Sequence, residues 1–191
     1  MSTGRVVASI GISLDGFIEG PERQIDWHRI DAELHQYLND DLRSMGAFVE
    51  GRVTYELMAA YWPTADADPD ASPQIVDFAQ IWRGMPKVVL SRTMTETDDP
   101  RATIRREIDP DEIRALTEQG DIVIGGADVI TAFRELDLVD DYRVYVHPVL
   151  IGRGKRLFPD TDAAADLRLV DIRTFGNGVV RLHYLRASST A

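Results

Sequence analysis

From residue 6 to residue 12 the chain reads VVASIGI, an apolar run of strand length. Behind it, Leu34, Leu38, Leu42 and Met45 recur at helical spacing after Asp31, whose short carboxylate suits a helix N-cap. Residues 47–50 predict a short strand and 53–61 a helix. A further helix is expected over 73–83, with Ile75, Phe78 and Trp82 on one side and Gly84 at its end. The sequence KVVLS at 87–91 has the pattern of a buried strand. Asp109-Pro110 opens a helix that Gly120 closes, with proline at the start and glycine past the end. Residues 121–124 predict a strand, 128–136 a helix and 142–149 a strand. Residues 167–175 and 179–185 alternate apolar and polar around Gly176-Asn177-Gly178, the pattern of a hairpin. Residues 64–73 (TADADPDASP) read as a surface loop, and 187–191 as a frayed tail.

Strands and helices therefore alternate for most of the length before an antiparallel ribbon ends it. That order predicts an α/β fold whose mixed, mostly parallel sheet is flanked by helices and carries an antiparallel C-terminal hairpin at its edge. The patterning continues across 64–73 and contains no repeat, so 1–191 is expected to be one domain with an ordered core over about 5–186.

Composition narrows the function. At 44 % hydrophobic and 28 % charged the chain can bury a core, and without cysteine it has neither disulfides nor thiolate metal ligands. The first apolar run is cut short by Asp15, lacks a cleavage pattern, and no run approaches the ~20 residues of a membrane span. A cytoplasmic protein with no membrane partner is the expectation. The net charge of −11 repels nucleic acid over most of the surface. An anionic small ligand then depends on where arginines gather.

Gly125-Gly126 stands between a strand pattern and a helical pattern. The pair suits a tight turn, and equally suits a phosphate approaching backbone at a helix N-terminus. Gly51-Arg52-Val53-Thr54 repeats the arrangement, and Ser91-Arg92 ends another strand. In α/β sheets ligands bind beyond the carboxyl ends of the strands, and the arginine fork matches a phosphate monoester. Each arginine alone reads as a solvated surface residue. Three such strand ends in an acidic chain point to a phosphate-bearing ligand.

In that order, GRVTYE (51–56), VVLSRT (88–93) and VIGGADVI (123–130) resemble the cofactor-binding segments of the dihydrofolate reductase-like superfamily. SLDGFIEGPERQIDW (13–27) and HPVLIGRGKRLF (147–158) extend the likeness to nearly the whole chain. It is greatest to the C-terminal reductase domain of the bifunctional riboflavin-biosynthesis enzyme and its stand-alone bacterial relatives. The resemblance implies an NADPH-dependent reductase acting on a small heterocyclic or imine-containing substrate, pterin- or pyrimidine-like, and working as a homodimer. By the same resemblance, Gly51, Arg52 and Thr54 hold cofactor phosphates, and Ser91 and Arg92 grip the 2′-phosphate. Gly125, Gly126, Ala127 and Asp128 wrap the pyrophosphate, while Ala8, Gly16 and Ile18 line the nicotinamide. The chain departs from the group at Arg153 and Arg156, where relatives often carry glycine and proline, and it lacks the deaminase domain's zinc ligands.

Reduction of a C=N bond also needs a proton at nitrogen. Asp15, Asp26 and Asp31 cluster between the first strand and the first helix. Asp15 and Asp26 are the candidate acids, though Asp15-Gly16 is equally a turn pair. Trp27 and Asp31 are the candidate substrate contacts; Trp27 equally fills a core and Asp31 equally caps a helix. No acid aligns cleanly with the family's substrate-pocket acid. His28, His35, His147 and His183 lack metal-ligand spacing and read as structural or surface residues, so no metal is expected. The basic stretch GRGKR (152–156) is either a solvated loop or a clamp for an anion. The alternative to an enzyme is a nucleotide-binding sensor on the same fold, without a proton donor.

Overall fold

The computed structural model describes residues 4–159 and 164–187. The chain runs β1 (Val6–Ser13), β2 (Phe17–Glu19), α1 (Ala32–Arg43), β3 (Ala47–Gly51), α2 (Arg52–Ala59), a 3-10 turn (Trp62–Ala67) and α3 (Pro73–Gly84). It continues through β4 (Lys87–Leu90), β5 (Ala102–Arg105), α4 (Pro110–Thr117), β6 (Ile122–Gly125) and α5 (Ala127–Glu135). It ends in β7 (Asp141–His147), β8 (Lys155–Arg156), β9 (Leu167–Thr174) and β10 (Val180–Arg186).

Eight strands form one sheet in the order β5-β4-β3-β6-β1-β7-β10-β9. The first six of these pair in parallel; β10 joins β7 antiparallel, and β9 joins β10 antiparallel at the edge. The mixed sheet with its antiparallel C-terminal strand pair is the arrangement that the pattern predicted, and it matches the dihydrofolate reductase-like fold that the motif resemblance implied. Central strands β3, β4 and β6 are short and apolar because both of their faces are covered. On one face Val6, Ala8, Val49 and Ile124 pack against Ile113 of α4 and Val129, Ile130 and Phe133 of α5. On the other face Val7, Phe48, Val89 and Val123 meet Tyr55 of α2 and Phe78 and Trp82 of α3. Leu34 of α1 seals the β7 side with Tyr145, Phe175 and Val179.

Several boundaries differ from the pattern. α1 stops before Met45, because Ser44 caps it through Asp41 and Leu42 carbonyls. α2 starts at Arg52 and ends at Ala59, and part of the expected 64–73 loop is the 3-10 turn. β7 ends before Pro148, whose ring nitrogen has no hydrogen to donate to a ladder. The edge strand β5 and the two-stranded β2–β8 ribbon were not anticipated; ATIR, FIE and KR are too short and too mixed to carry a period. Of the expected tail, residues 188–191 lie outside the described residues. Among the described residues no helix is long and apolar enough to cross a membrane.

Candidate functional site

The helices divide by how they begin. Asp31, Ser72 and Asp109 cap α1, α3 and α4 by accepting from Leu34, Ile75 and Asp111 amides. α2 and α5 begin instead under glycines, Gly51 and Gly126, with no side-chain cap. Their first amide N–H groups and the positive ends of their dipoles are left for something else. Both helices follow carboxyl ends of strands, and both starts line one cleft of about 490 Å³.

That cleft gathers most of the expected phosphate groups: Gly51, Arg52, Thr54, Ser91, Arg92, Gly126, Ala127 and Asp128, with Ile18 beside them. It also gathers Arg23 and Arg106, which sequence reasoning did not assign to it, and Lys155 from the basic stretch read as either a solvated loop or an anion clamp. Five cationic side chains thus face three carboxylates, Glu19, Glu107 and Asp128, in a chain of strongly negative net charge. Ser91 spends its hydroxyl on the turn after β4, accepting from the amides of Thr93 and Met94 at 3.2 and 2.8 Å. Arg106 ties the same turn by donating to the carbonyls of Ser91 and Met94 at 2.9 and 2.7 Å. The turn so held presents Arg92, exposed and without a hydrogen bond or ion pair to the described residues. Arg52 pairs with Glu56 at 2.7 Å and Lys155 with Asp128 at 2.5 Å.

Thr54 and Gly126 also line a second cavity, of about 730 Å³, on the sheet face covered by α1, α2 and α3. Its floor holds Glu50 of β3, in register with Gly125 of β6. A side-chain carbon on Gly125 would meet nothing within 4 Å, so the first glycine of the pair leaves space beside that acid. Glu50 is 5 % exposed, and its Oε2 is buried without a hydrogen-bond partner. Burial pushes its carboxyl up to about 7, and Lys87 on β4 offsets only part of the effect.

Three histidines line the same cavity. Burial lowers the pKa of His28, His35 and His147; for His147 it falls to about 4, with His28 and Arg29 adding to the effect. The rings of His28 and His147 stack with centroids 4.7 Å apart, and His147 Nδ1 accepts from the Arg29 amide at 3.0 Å. Among the described residues no group of histidines and carboxylates could hold a metal ion.

Six expected site residues line neither cavity. Asp15 accepts from the amides of Ile151 and Gly152 at 3.2 and 2.7 Å and so ties the 150–154 loop to β1. Asp26 is exposed, and Asp31 is the α1 cap. Trp27 donates its ring N–H to the Gln24 carbonyl and sets its ring edge-on to His28. Ala8 is core on the α4–α5 face, and Gly16 turns the chain at φ +88°. From the basic stretch only Lys155 reaches the cleft; the Arg156 guanidinium lies over the Phe17 ring. In the second cavity, sequence reasoning missed Glu50. Its signal was an acid inside the apolar strand AFVEG, a place where an ionisable group needs a reason.

The model of the RibD C-terminal domain matches residues 5–181. The uncharacterized protein YyaP of Bacillus subtilis (strain 168) is 34 % identical over 183 residues, 94 % of each chain. In three dimensions the fold is similar to a Shewanella sp. PV-4 protein whose name points to riboflavin biosynthesis, with TM-score 0.73 and 21 % identity over 96 % of this chain and 99 % of that one. It is similar as well to a pyrimidine reductase-like protein of Corynebacterium diphtheriae, with TM-score 0.68 and 15 % identity over 97 % and 93 %. The third likeness is to a Thermotoga maritima diaminohydroxyphosphoribosylaminopyrimidine deaminase/5-amino-6-(5-phosphoribosylamino)uracil reductase, with TM-score 0.66 and 14 % identity; it spans 97 % of this chain but 57 % of that longer one. The chain belongs to the RibD C-terminal domain family and has its reductase fold.

Proposed function

We propose that the protein is an NADPH-dependent reductase that transfers a hydride to a small heterocyclic or imine-containing acceptor. One observation carries the reading. Two helix N-termini without side-chain caps and Arg92, unpaired among the described residues, meet in a single cleft that shares Thr54 and Gly126 with a second, largely apolar cavity. Uncapped amides and dipole ends suit a pyrophosphate, and an exposed guanidinium suits the phosphate that distinguishes NADPH from NADH. The family and the reductase names of two of its structural relatives point the same way.

On this reading Gly51, Thr54, Gly126 and Ala127 hold the pyrophosphate through backbone and hydroxyl, and Arg92 holds the 2′-phosphate. NADPH supplies the hydride. The protein's own work is to fix the two partners across the Thr54–Gly126 boundary and to keep water out with the apolar walls of the second cavity. A nucleotide sensor would share the first cleft but has no use for a second cavity built around a buried carboxyl.

Fluorescence titration tests the reading. NADPH should bind in preference to NADH, and Arg92→Ala should reduce that preference by about 1–3 kcal/mol, the loss of a charge-assisted hydrogen bond. Equal affinity of the unaltered protein for both cofactors would refute the 2′-phosphate assignment.

The homodimer belongs to the same proposal. Edge strand β9 exposes Leu167, Leu169, Val170 and Ile172, each 40–54 % accessible, and an apolar open edge of this kind calls for a cover. Light scattering that gave the 21.4 kDa of one chain at micromolar concentration would exclude it.

A further inference from the structure

Buried polar atoms without partners collect in one place. His28 Nε2, Asn39 Oδ1, Glu50 Oε2 and Tyr145 OH all belong to residues that line the second cavity; Asp41 Oδ2 and Arg181 Nε are the others among the described residues. An unpaired buried polar atom is costly, so four around one space mark where a ligand's polar edge belongs. The same lining includes no arginine or lysine among the described residues, and burial holds its three histidines neutral at physiological pH. The walls are aliphatic and aromatic, including Leu34, Leu38, Leu57, Phe78 and Trp62.

We infer that this cavity takes an uncharged, unphosphorylated planar ring, and that Glu50 meets the ring's polar edge as a carboxylic acid and gives it the proton that reduction requires. The inference rests on the reductase reading for its hydride, and goes beyond it in fixing the acceptor's charge and the source of the proton.

A phosphate monoester in this space would lose its hydration, find no cation among the described residues and face a carboxyl group. The cavity therefore differs in chemistry from what a phosphoribosyl compound, the kind named for the Thermotoga maritima enzyme, requires. A flat neutral ring gains from the apolar walls and pairs its heteroatoms with Asn39, Glu50 and Tyr145. Gly125 leaves the floor open next to the acid, and Thr54 and Gly126 join that floor to the cofactor cleft.

The step balances simply. The hydride of NADPH, with its electron pair, forms a C–H bond at the ring carbon. The π pair of the C=N bond moves to nitrogen and takes the Glu50 proton. The carboxylate left behind is reprotonated from solvent, and the cofactor leaves as NADP⁺. Burial and Lys87 set the acid's proton affinity. Lys87 of β4 acts on it from within its own ties to Asp99, at 3.0 Å, and to the Trp82 and Met85 carbonyls. The charge of ionised Glu50 helps to raise the pKa of the Tyr55 hydroxyl on α2, after burial and Asp99. His35 of α1, Tyr145 and His147 of β7, and His28 ahead of α1 share the cavity and stay uncharged near neutrality.

Nuclear magnetic resonance titration of the whole chain without cofactor tests this, using quinoxaline as an uncharged ring and uridine 5′-monophosphate as a phosphorylated pyrimidine. Quinoxaline should shift signals of Leu34, Leu57 and Phe78, and uridine 5′-monophosphate should not. Its affinity should fall more than about tenfold between pH 6 and pH 9 as the acid form disappears. Glu50→Gln, which keeps a neutral donor, should bind equally at both pH values. Gly125→Leu should fill the floor and abolish binding while the remaining spectrum stays folded. No binding of quinoxaline, binding indifferent to both pH and Glu50→Gln, or preferred seating of uridine 5′-monophosphate in this cavity would overturn the inference. A failed NADPH titration would instead sink the reductase reading, and leave the ring-binding result untouched.

Discussion

The Thr54 hydroxyl oxygen lies 3.1 Å from the point where a side-chain carbon on Gly126 would fall. These two residues form the boundary that both cavities share, and Gly126 holds φ at +90°, which side chains of L-residues rarely tolerate. Gly126→Ala therefore meets backbone strain and a crowded hydroxyl together. The variant should lose about 1–3 kcal/mol of stability and bind NADPH roughly tenfold more weakly. Gly125→Ala is the control, because its added carbon meets nothing within 4 Å. Thermal unfolding of the two variants separates them; equal stability would refute the strain.

The contrast between adjacent glycines also shows how far sequence could reach. A glycine pair after an apolar run located the turn, and the motif order located the strand ends. Neither gave the two glycines their separate reasons, which depend on Thr54 in another helix and on Glu50 across the sheet. Arg92 was legible because it is local to its strand end. Arg23 and Arg106 were not, since they arrive at the cleft from remote segments. Asp15 and Asp31 were ambiguous because a carboxylate that caps backbone amides and one that does chemistry look alike in a sequence. Only the three-dimensional partners separate those roles: the amides of Ile151 and Gly152 for Asp15, and that of Leu34 for Asp31.

Asp15 accordingly acts on the loop. The Ser13 hydroxyl, followed by the Gly152 and Ile151 amides, holds its carboxyl below the usual carboxylate range. A depressed carboxyl stabilises above the pKa of the unfolded chain, and that contribution is lost as pH falls through the lower folded value. Asp15→Asn should lower the protection factors of the Ile151 and Gly152 amides at neutral pH, and acidification should lower them in the unaltered protein, each measured against the intrinsic exchange rate at that pH. Because this loop leads to Lys155 in the cleft, NADPH affinity should weaken while the pH profile of hydride transfer keeps its shape. Abolished turnover with unchanged exchange would make Asp15 an acid of the reaction instead.

Glu50 acts on stability with the opposite sign. Its folded carboxyl holds a proton up to about 7, against 4.5 for an ordinary glutamate, because burial penalises the charged form more than Lys87 favours it. Below pH 4.5 both folded and unfolded chains carry the proton, and the burial has no pH-dependent consequence. Between 4.5 and about 7 the folded chain binds more protons than the unfolded one, so stability falls as pH rises. Above that window the penalty is constant and at most about 3.5 kcal/mol, at ~1.4 kcal/mol for each tenfold in proton affinity. Glu50→Gln removes the ionisable group and keeps the shape. Urea unfolding should find the variant close to the unaltered protein at pH 4 and about 1–3 kcal/mol more stable at pH 8. A gain of the same size at both pH values would mean that packing, not a proton held against burial, distinguishes the two side chains. No gain at pH 8 would mean that water or Lys87 already solvates the carboxylate, and the cavity would then hold an ion where an acid is needed.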